Sequence, residues 1–461
     1  MAIRQSRFID PDGRMRMRAV LAPHNADDLG LDPRLVAFDS AWTNVLRLRA
    51  NGVAAANTLD TKSITYGGLP GSTGTRAVRV IPHAGVNGPW RPTLAWQRNN
   101  GGTLQLQRAG EPVSGGAQPL TYVRGYGVCA VSLADDEILV SPSKASSEYC
   151  WFIFGTNPTS DEGDGPNGMG RGLHPLYGRG LFMSRPGFNH LTCSLDDMMM
   201  STRRNCFQIA ETGTVFPGTY SGGGANFSID RISTDPFPTG PDANTRNCAI
   251  VTLNKSYPHY PPVMAYAMAP QGQGHAHLSV FWLSANQILI AGTPDGNIGM
   301  RYAVIGNDPA YNGGIDTVTG RCRIHTEPGL GTCVTHNDVD YYTAHAGQFI
   351  FRADRLTPRF PGFGSIITSE NTNAKALPSL GIPPVGASAP FVFFLVPHGL
   401  HWWCGCGVAH SQDIYDSVTG FPMFYFRASV YNRANYWWAK EPTWTVSTFG
   451  WVALMNISDF G

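Results

Sequence analysis

The chain has 461 residues, 42% hydrophobic and only 15% charged, against about 25% charged in an average soluble domain; no stretch nears the ~18 consecutive apolar residues of a membrane-spanning helix, which excludes one. Its 34 basic and 33 acidic side chains are scattered along the length, which excludes a basic nucleic-acid footprint. Glycine and proline are abundant, 53 and 34, so the chain turns often. In chain order, the first signal is a weak apolar stripe at 33–48, the one helical candidate. Short or alternating apolar runs follow at 127–140, 148–154, 247–253, 263–268, 277–290, 391–396, 421–430 and 444–457. Each is rich in Val, Ile, Phe, Tyr or Trp, which suit a pleated, half-buried surface. Turn clusters separate them, such as Thr293-Pro294-Asp295-Gly296-Asn297 and Gly222-Gly223-Gly224. The pattern predicts an all-β chain of tandem antiparallel β-sandwich modules with long Gly/Pro-rich loops, because a parallel sheet needs crossover helices. No apolar leader follows Met1, so the chain is expected to stay in the cytoplasm where it is made. Its nine cysteines, odd in number, are expected as reduced core thiols.

Sliding the sequence by 161 positions sets Phe38 on Met199, Ser40 on Ser201, Asn44 on Asn205, Leu46 on Phe207, Leu48 on Ile209 and Gly52 on Gly213. The apolar register survives the shift, as an internal repeat requires. A proline turn precedes each copy, Ala22-Pro23-His24-Asn25 and Arg185-Pro186-Gly187-Phe188-Asn189, and a third opening motif of this kind is expected at Arg359-Phe360-Pro361-Gly362-Phe363. Each unit reads as an opening motif, a strand pair, a loop-rich middle and a closing apolar hairpin. Three modules result, at 1–170, 171–320 and 321–461.

The second opening motif, Pro186-Gly187-Phe188-Asn189-His190-Leu191-Thr192-Cys193-Ser194-Leu195-Asp196-Asp197 followed by Phe207-Gln208-Ile209 and Gly213, resembles a module of tail proteins of tailed bacteriophages. Leu35-Val36-Ala37-Phe38-Asp39-Ser40-Ala41-Trp42 resembles it more closely, at the apolar triplet and the Ser-x-Trp step. The pattern departs at Met198-Met199-Met200, and His24 breaks the Pro-Gly pair. The resemblance covers residues 23–53 and 186–215. It implies a virion structural protein of the distal tail, a fibre or tail-tip component built of β-sandwich modules and often trimeric, assembled in the host cytoplasm. The partners it implies are other phage tail proteins, copies of the chain in a homotrimer, and a bacterial surface receptor or glycan, without nucleic acid or membrane insertion.

The chemical motifs carry less. On a strand, His275 and His277 point to one face, and three such pairs around a three-fold axis would offer six imidazoles to one transition ion; some phage fibres and spikes hold iron this way. Strand-edge histidines bonded to backbone or water are far commoner, so no cofactor is expected and the pair stays a weak metal candidate. Cys404-Gly405-Cys406, flanked by His401 and His410, lacks the C-x₂₋₄-C spacing and second ligand pair of structural zinc. Asp135-Asp136-Glu137, the Asp161, Glu162 and Asp164 group, and Asp338 with Asp340 read as turn and loop residues, where a glycosidase needs two carboxylates about 5 to 9.5 Å apart. No G-x-S-x-G, P-loop or dinucleotide motif occurs, and Asp338-Val339-Asp340 lacks the Gly and Glu of a calcium loop. The chain is not expected to be an enzyme.

The strongest binding signal is aromatic: six of the eleven tryptophans lie in the last 60 residues. Trp402, Trp403, Tyr436, Trp437, Trp438 and Trp444 are the candidates for receptor or interface contact, because aromatic planes stack on sugars and dominate binding hot spots. A sandwich core or subunit interface would use the same residues. The expected function is a phage tail structural protein that aids assembly and host attachment by multivalent, non-covalent contact. Module 1–170 attaches to the tail and the aromatic module 321–461 faces outward. The alternatives are a virion-associated polysaccharide-degrading enzyme and a capsid or tail decoration protein without a receptor.

Overall fold

The computed structural model describes thirty strands and adjoining turns between residues 3 and 455; among the residues it does not describe are 217–226, 231–244, 268–277, 310–322, 377–390, 409–422 and 426–447. The first unit holds β1 (Ile3–Ile9), β2 (Arg16–Leu21), β3 (Val36–Asp39), β4 (Arg47–Ala55), β5 (Asp60–Tyr66), β6 (Gly74–Pro82), β7 (Thr93–Arg108), β8 (Gln118–Val128), β9 (Val131–Leu133), β10 (Glu137–Val140) and β11 (Glu148–Gly155). The second holds β12 (Asn167–His174), β13 (Gly178–Pro186), β14 (Met198–Ser201), β15 (Ile209–Val215), β16 (Phe227–Asp230), β17 (Thr245–Thr252), β18 (Val263–Ala267), β19 (Ser279–Ser284), β20 (Gln287–Thr293) and β21 (Met300–Ile305). The third holds β22 (Arg323–Glu327), β23 (Gly331–Thr335), β24 (Phe349–Arg352), β25 (Phe363–Thr368), β26 (Ala374–Ala376), β27 (Phe391–His398), β28 (His401–Val408), β29 (Met423–Tyr425) and β30 (Thr448–Met455). The protein is all-β, with antiparallel sheets throughout the described residues and one 3₁₀ turn, Ala56–Thr58.

The helical stripe at 33–48 is instead β3 and the start of β4. Val36, Ala37 and Phe38 are all buried: a strand covered on both faces is a continuous apolar run, which periodicity cannot separate from a buried helix segment.

Each unit opens with a small antiparallel sheet: β1-β2-β3, β12-β13-β14 and β22-β23-β24. In each, the chain leaves the middle strand through a turn that an Asn or Asp side chain caps. Asn25 Oδ1 accepts from Asp27 N (3.1 Å), Asn189 Oδ1 from Leu191 N (2.9 Å) and Asp340 Oδ1 from Tyr342 N (2.8 Å). These are Asx turns, in which a short polar side chain mimics a backbone carbonyl. The third opening motif accordingly stands upstream of the expected one. Of Arg359 to Phe363, the first four lie outside the described residues and Phe363 opens β25. The proline there misleads because Asp340 makes the turn without one.

Beyond these small sheets, each unit builds a sheet in the order first, last, middle strand: β4-β11-β7, β15-β21-β18 and β25-β30-β27. A second sheet faces it in the first two units, β5-β6-β10-β9 and β16-β17-β20-β19, and the third unit also forms the two-stranded sheet β26-β29. Apolar residues inward on both layers are what makes such a sandwich; Ile81, Ile138, Trp96 and Phe152 fill it in the first unit, and Val280, Ile288, Met264 and Val304 in the second.

The units are not closed off from one another. Strand β8 pairs with β19 and strand β28 with β9, so two eight-stranded sheets each run through two units. Residue 170 also falls inside β12, and module 1–170 shares one sheet with module 171–320 and another with module 321–461. One core cluster draws on all three units. In it Phe38 meets Phe351 edge to face at 5.3 Å between ring centroids, and Phe207 meets Phe152 and Phe154 at 5.4 and 4.8 Å, geometry that aromatic quadrupoles favour.

Candidate functional site: the seams and exposed turns of the units

The seam between the first and second units is a β ladder in which Arg124, Gly125 and Tyr126 face Trp282, Phe281 and Val280. Side chains reinforce it. Tyr126 donates its hydroxyl to Tyr260 O (2.7 Å), Arg124 donates to His259 O (3.0 Å) and lies 5.9 Å over the Tyr260 ring, and Trp282 Nε1 donates to Pro261 O (2.9 Å). Tyr260 holds φ at 50°, an uncommon state for a bulky residue. From the first unit, Asn51 Nδ2 also reaches Pro309 O (3.1 Å).

The seam between the second and third units is polar. Buried Gln208 behaves as a piece of β backbone: its Nε2 donates to Arg352 O and its Oε1 accepts from Arg352 N, both at 2.9 Å. Next to it, Cys206 N donates to Ile350 O (2.9 Å), and Asn307 spans Cys206 O (2.8 Å) and Gln208 N (2.9 Å). The Glu211 carboxylate accepts from Asn254 N, Asn254 Nδ2 and the Tyr257 hydroxyl; burial, with Glu211 beside it, pushes the Tyr257 phenol far up. Asp354 takes two hydrogen bonds from Arg352, at 2.7 and 2.6 Å. Burial alone would raise its carboxyl, yet those bonds and the charges of Arg352, Lys255 and Arg355 hold it below the usual carboxylate range. Burial lowers Arg355 to about 10, with Arg352 adding to the effect; Arg355 donates to Gly306 O. These groups are spent on one another, as buried polar groups must be.

The seam between the third and first units carries two of the sequence-derived candidates. Trp402 and Trp403 on β28 face Leu133 and Ser132 on β9, so the backbone at these tryptophans lies inside a sheet that joins two units. Tyr436, Trp437, Trp438 and Trp444 lie outside the described residues, as do His275 and His277. Among the described residues no group of three or more His, Cys, Asp or Glu side chains is placed to hold a metal. A groove of about 600 Å³ runs beside Gly52, Val80 and Trp151, and among the described residues Asp60 is the carboxylate in its lining.

The cysteines at 150, 193, 206, 248 and 333 are buried thiols. Burial pushes Cys206 and Cys248 each up to about 12, far from the thiolate state that reacts or binds metal. Asp136 stands at a bend, its carbonyl accepting from His83 N (2.9 Å), and Glu137 opens β10 and pairs with Lys62 at 2.5 Å.

Sequence reasoning passed over Arg18, Glu211, Asn307 and Arg355. Gln208 had a signal, a polar residue inside the apolar run Phe207-Gln208-Ile209. Arg18 had none: it pairs with Asp39 at 3.1 Å with both side chains buried, and also donates to the Ala26 and Asp28 carbonyls of the first turn. Each of the three turns also carries exposed side chains, Asn25 and Asp27, Asn189 and Thr192, and Asp340 and Tyr342, Tyr342 being 71% exposed. Compared with protein families, curated proteins and solved structures, the chain matches none.

Proposed function

We propose that this protein is a structural component of a bacteriophage virion, placed in the distal tail as a fibre or tail-tip protein, where it joins other tail proteins and aids host attachment by non-covalent binding. The observation that carries the reading is the conformation of the opening motifs. The residues that resemble a phage tail module form the same Asx turn and following strand in the first two units, leading out of β2 into β3 and out of β13 into β14, so the two resembling segments share one conformation. The continuous antiparallel sheets and the seam-binding polar groups support a load-bearing role. Repeated weak contacts on such a body raise effective concentration at a cell surface.

Gold-labelled antibody against the protein tests this on purified particles. Label at the distal tail is the expected result, together with competition between purified protein and phage for host cells. Label spread evenly over the head, or particles that carry none, would overturn the reading.

A further inference from the structure

Among the described residues the three units repeat one plan at matched positions. Ala37 and Ile350 are each the second residue of the third strand in their unit's small opening sheet, and their carbonyls accept from Thr357 N (3.0 Å) and Cys206 N (2.9 Å). Each donor stands five residues past the end of its own unit's third strand, Arg352 and Ser201. Phe38, Met200 and Phe351, the third residues of β3, β14 and β24, all enter the same core cluster. Beyond these sheets, β4 and β15 pair with β11 and β21 through the same irregularity, at Ile153/Phe154 and at Ile209/Glu211. Gly52 sits against the Trp151 ring and Gly213 against the Tyr302 ring, with an added Cβ at 2.7 and 2.6 Å from ring atoms. Among the described residues the ladders match at two of the three seams: Arg124 and Gly125 face Trp282 and Phe281 as Trp402 and Trp403 face Leu133 and Ser132.

The links run in one direction and return to their start. The first unit hands β8 to the second and lays β4 against β14. The second hands Cys206 and Gln208 to β24 of the third. The third hands β28 and Thr357 to the first. Three equivalent bodies joined head to tail by the same contacts close into a ring when the rotation is a third of a turn.

We infer that one chain is a complete three-fold unit, a single-chain ring that stands as a monomer where the sequence suggested a homotrimer, and that it docks coaxially on a homotrimeric protein through the face bearing the Asn25, Asn189 and Asp340 turns. Rotation about an axis preserves height along it, so three equivalent turns share one face. All three have the same capped backbone and exposed side chains. A partner of three identical chains presents three identical surfaces at equal angles, and meets one turn with each. Simultaneous engagement of three weak contacts multiplies their strength. The partner clause rests on the tail reading; ring closure does not.

Native mass spectrometry of the full chain tests the ring first: one chain of 49.9 kDa is expected, and a homotrimer overturns the inference. Copy number in purified virions tests the docking. One copy per adjoining trimer is expected; three copies overturn the docking, and particles lacking the protein overturn the tail reading and the docking together while the mass still decides the ring. Asp27→Lys, Thr192→Lys and Tyr342→Lys locate the face. Each alone should lower incorporation into particles several-fold and the triple variant should abolish it, with mass and melting temperature unchanged; full incorporation of the triple variant overturns the face.

Discussion

Gln208 shows how a single side chain can replace a strand. Its amide satisfies both backbone groups of Arg352 across the seam between the second and third units, and it is buried at 1% exposure. Gln208→Leu keeps the volume but strands a buried donor and acceptor, each worth about 1 to 3 kcal/mol; denaturant unfolding should show a loss of about 2 to 4 kcal/mol. Asp354 gives a pH signature. Its folded-state pKa lies below the ordinary value of 3.8, so its contribution is present above about pH 4 and disappears as pH falls through the folded value. Asp354→Asn should cost about 1 to 2 kcal/mol at pH 7, between the scales of an exposed and a buried pair, because Arg352 and Asp354 are partly buried. The gap between variant and wild type should close below pH 4 in parallel melts. A gap that is constant with pH would mean the carboxylate does not carry the charge assigned to it. Of these residues the sequence exposed only Gln208, as a polar intruder in an apolar run; Asp354 lies in no motif, since its worth comes from Arg352, Lys255 and Arg355 around it.

Among the elements, β9 bears most on the assembly for its length. It has three residues, yet it pairs with β10 inside its own unit and with β28 from the third. A proline in a central strand removes a ladder bond and clashes with the neighbour. Ser132→Pro should therefore cost about 3 kcal/mol or more and expose the seam to protease, read by limited proteolysis and thermal melts; wild-type behaviour would mean that the β9 to β28 pairing does not hold the units together. The strands themselves were largely legible. The runs at 148–154, 247–253, 263–268 and 391–396 are β11, β17, β18 and β27 within a residue or two, because burial on a sheet selects the same Val, Ile and aromatic residues that mark a strand in the sequence. What misled was local ambiguity. A four-residue strand such as β3 buries every side chain and loses its period, and the third unit opens without the proline by which the first two are recognised.

At the scale of the whole molecule, sheets that cross unit boundaries and one core fed by all three units predict a single unfolding transition. Calorimetric and van't Hoff enthalpies should agree. Three resolved transitions would show that the units are independent beads and that the seams contribute little. The tail reading and the single-chain ring both depend on this continuity, because a part that bears load cannot come apart at its joints.

The sequence by itself determined that the chain is all-β, that it turns often, and that residues near 35 and 196 repeat, because hydrophobic burial and turn chemistry act on near neighbours and leave a periodic trace. Only the tertiary structure decided which unit hands its strand to which. That β8 pairs with β19 of the second unit as well as with β7 of its own depends on backbone hydrogen bonds that every residue type offers alike, so the order of the ring leaves no mark in the identities of the side chains that form it.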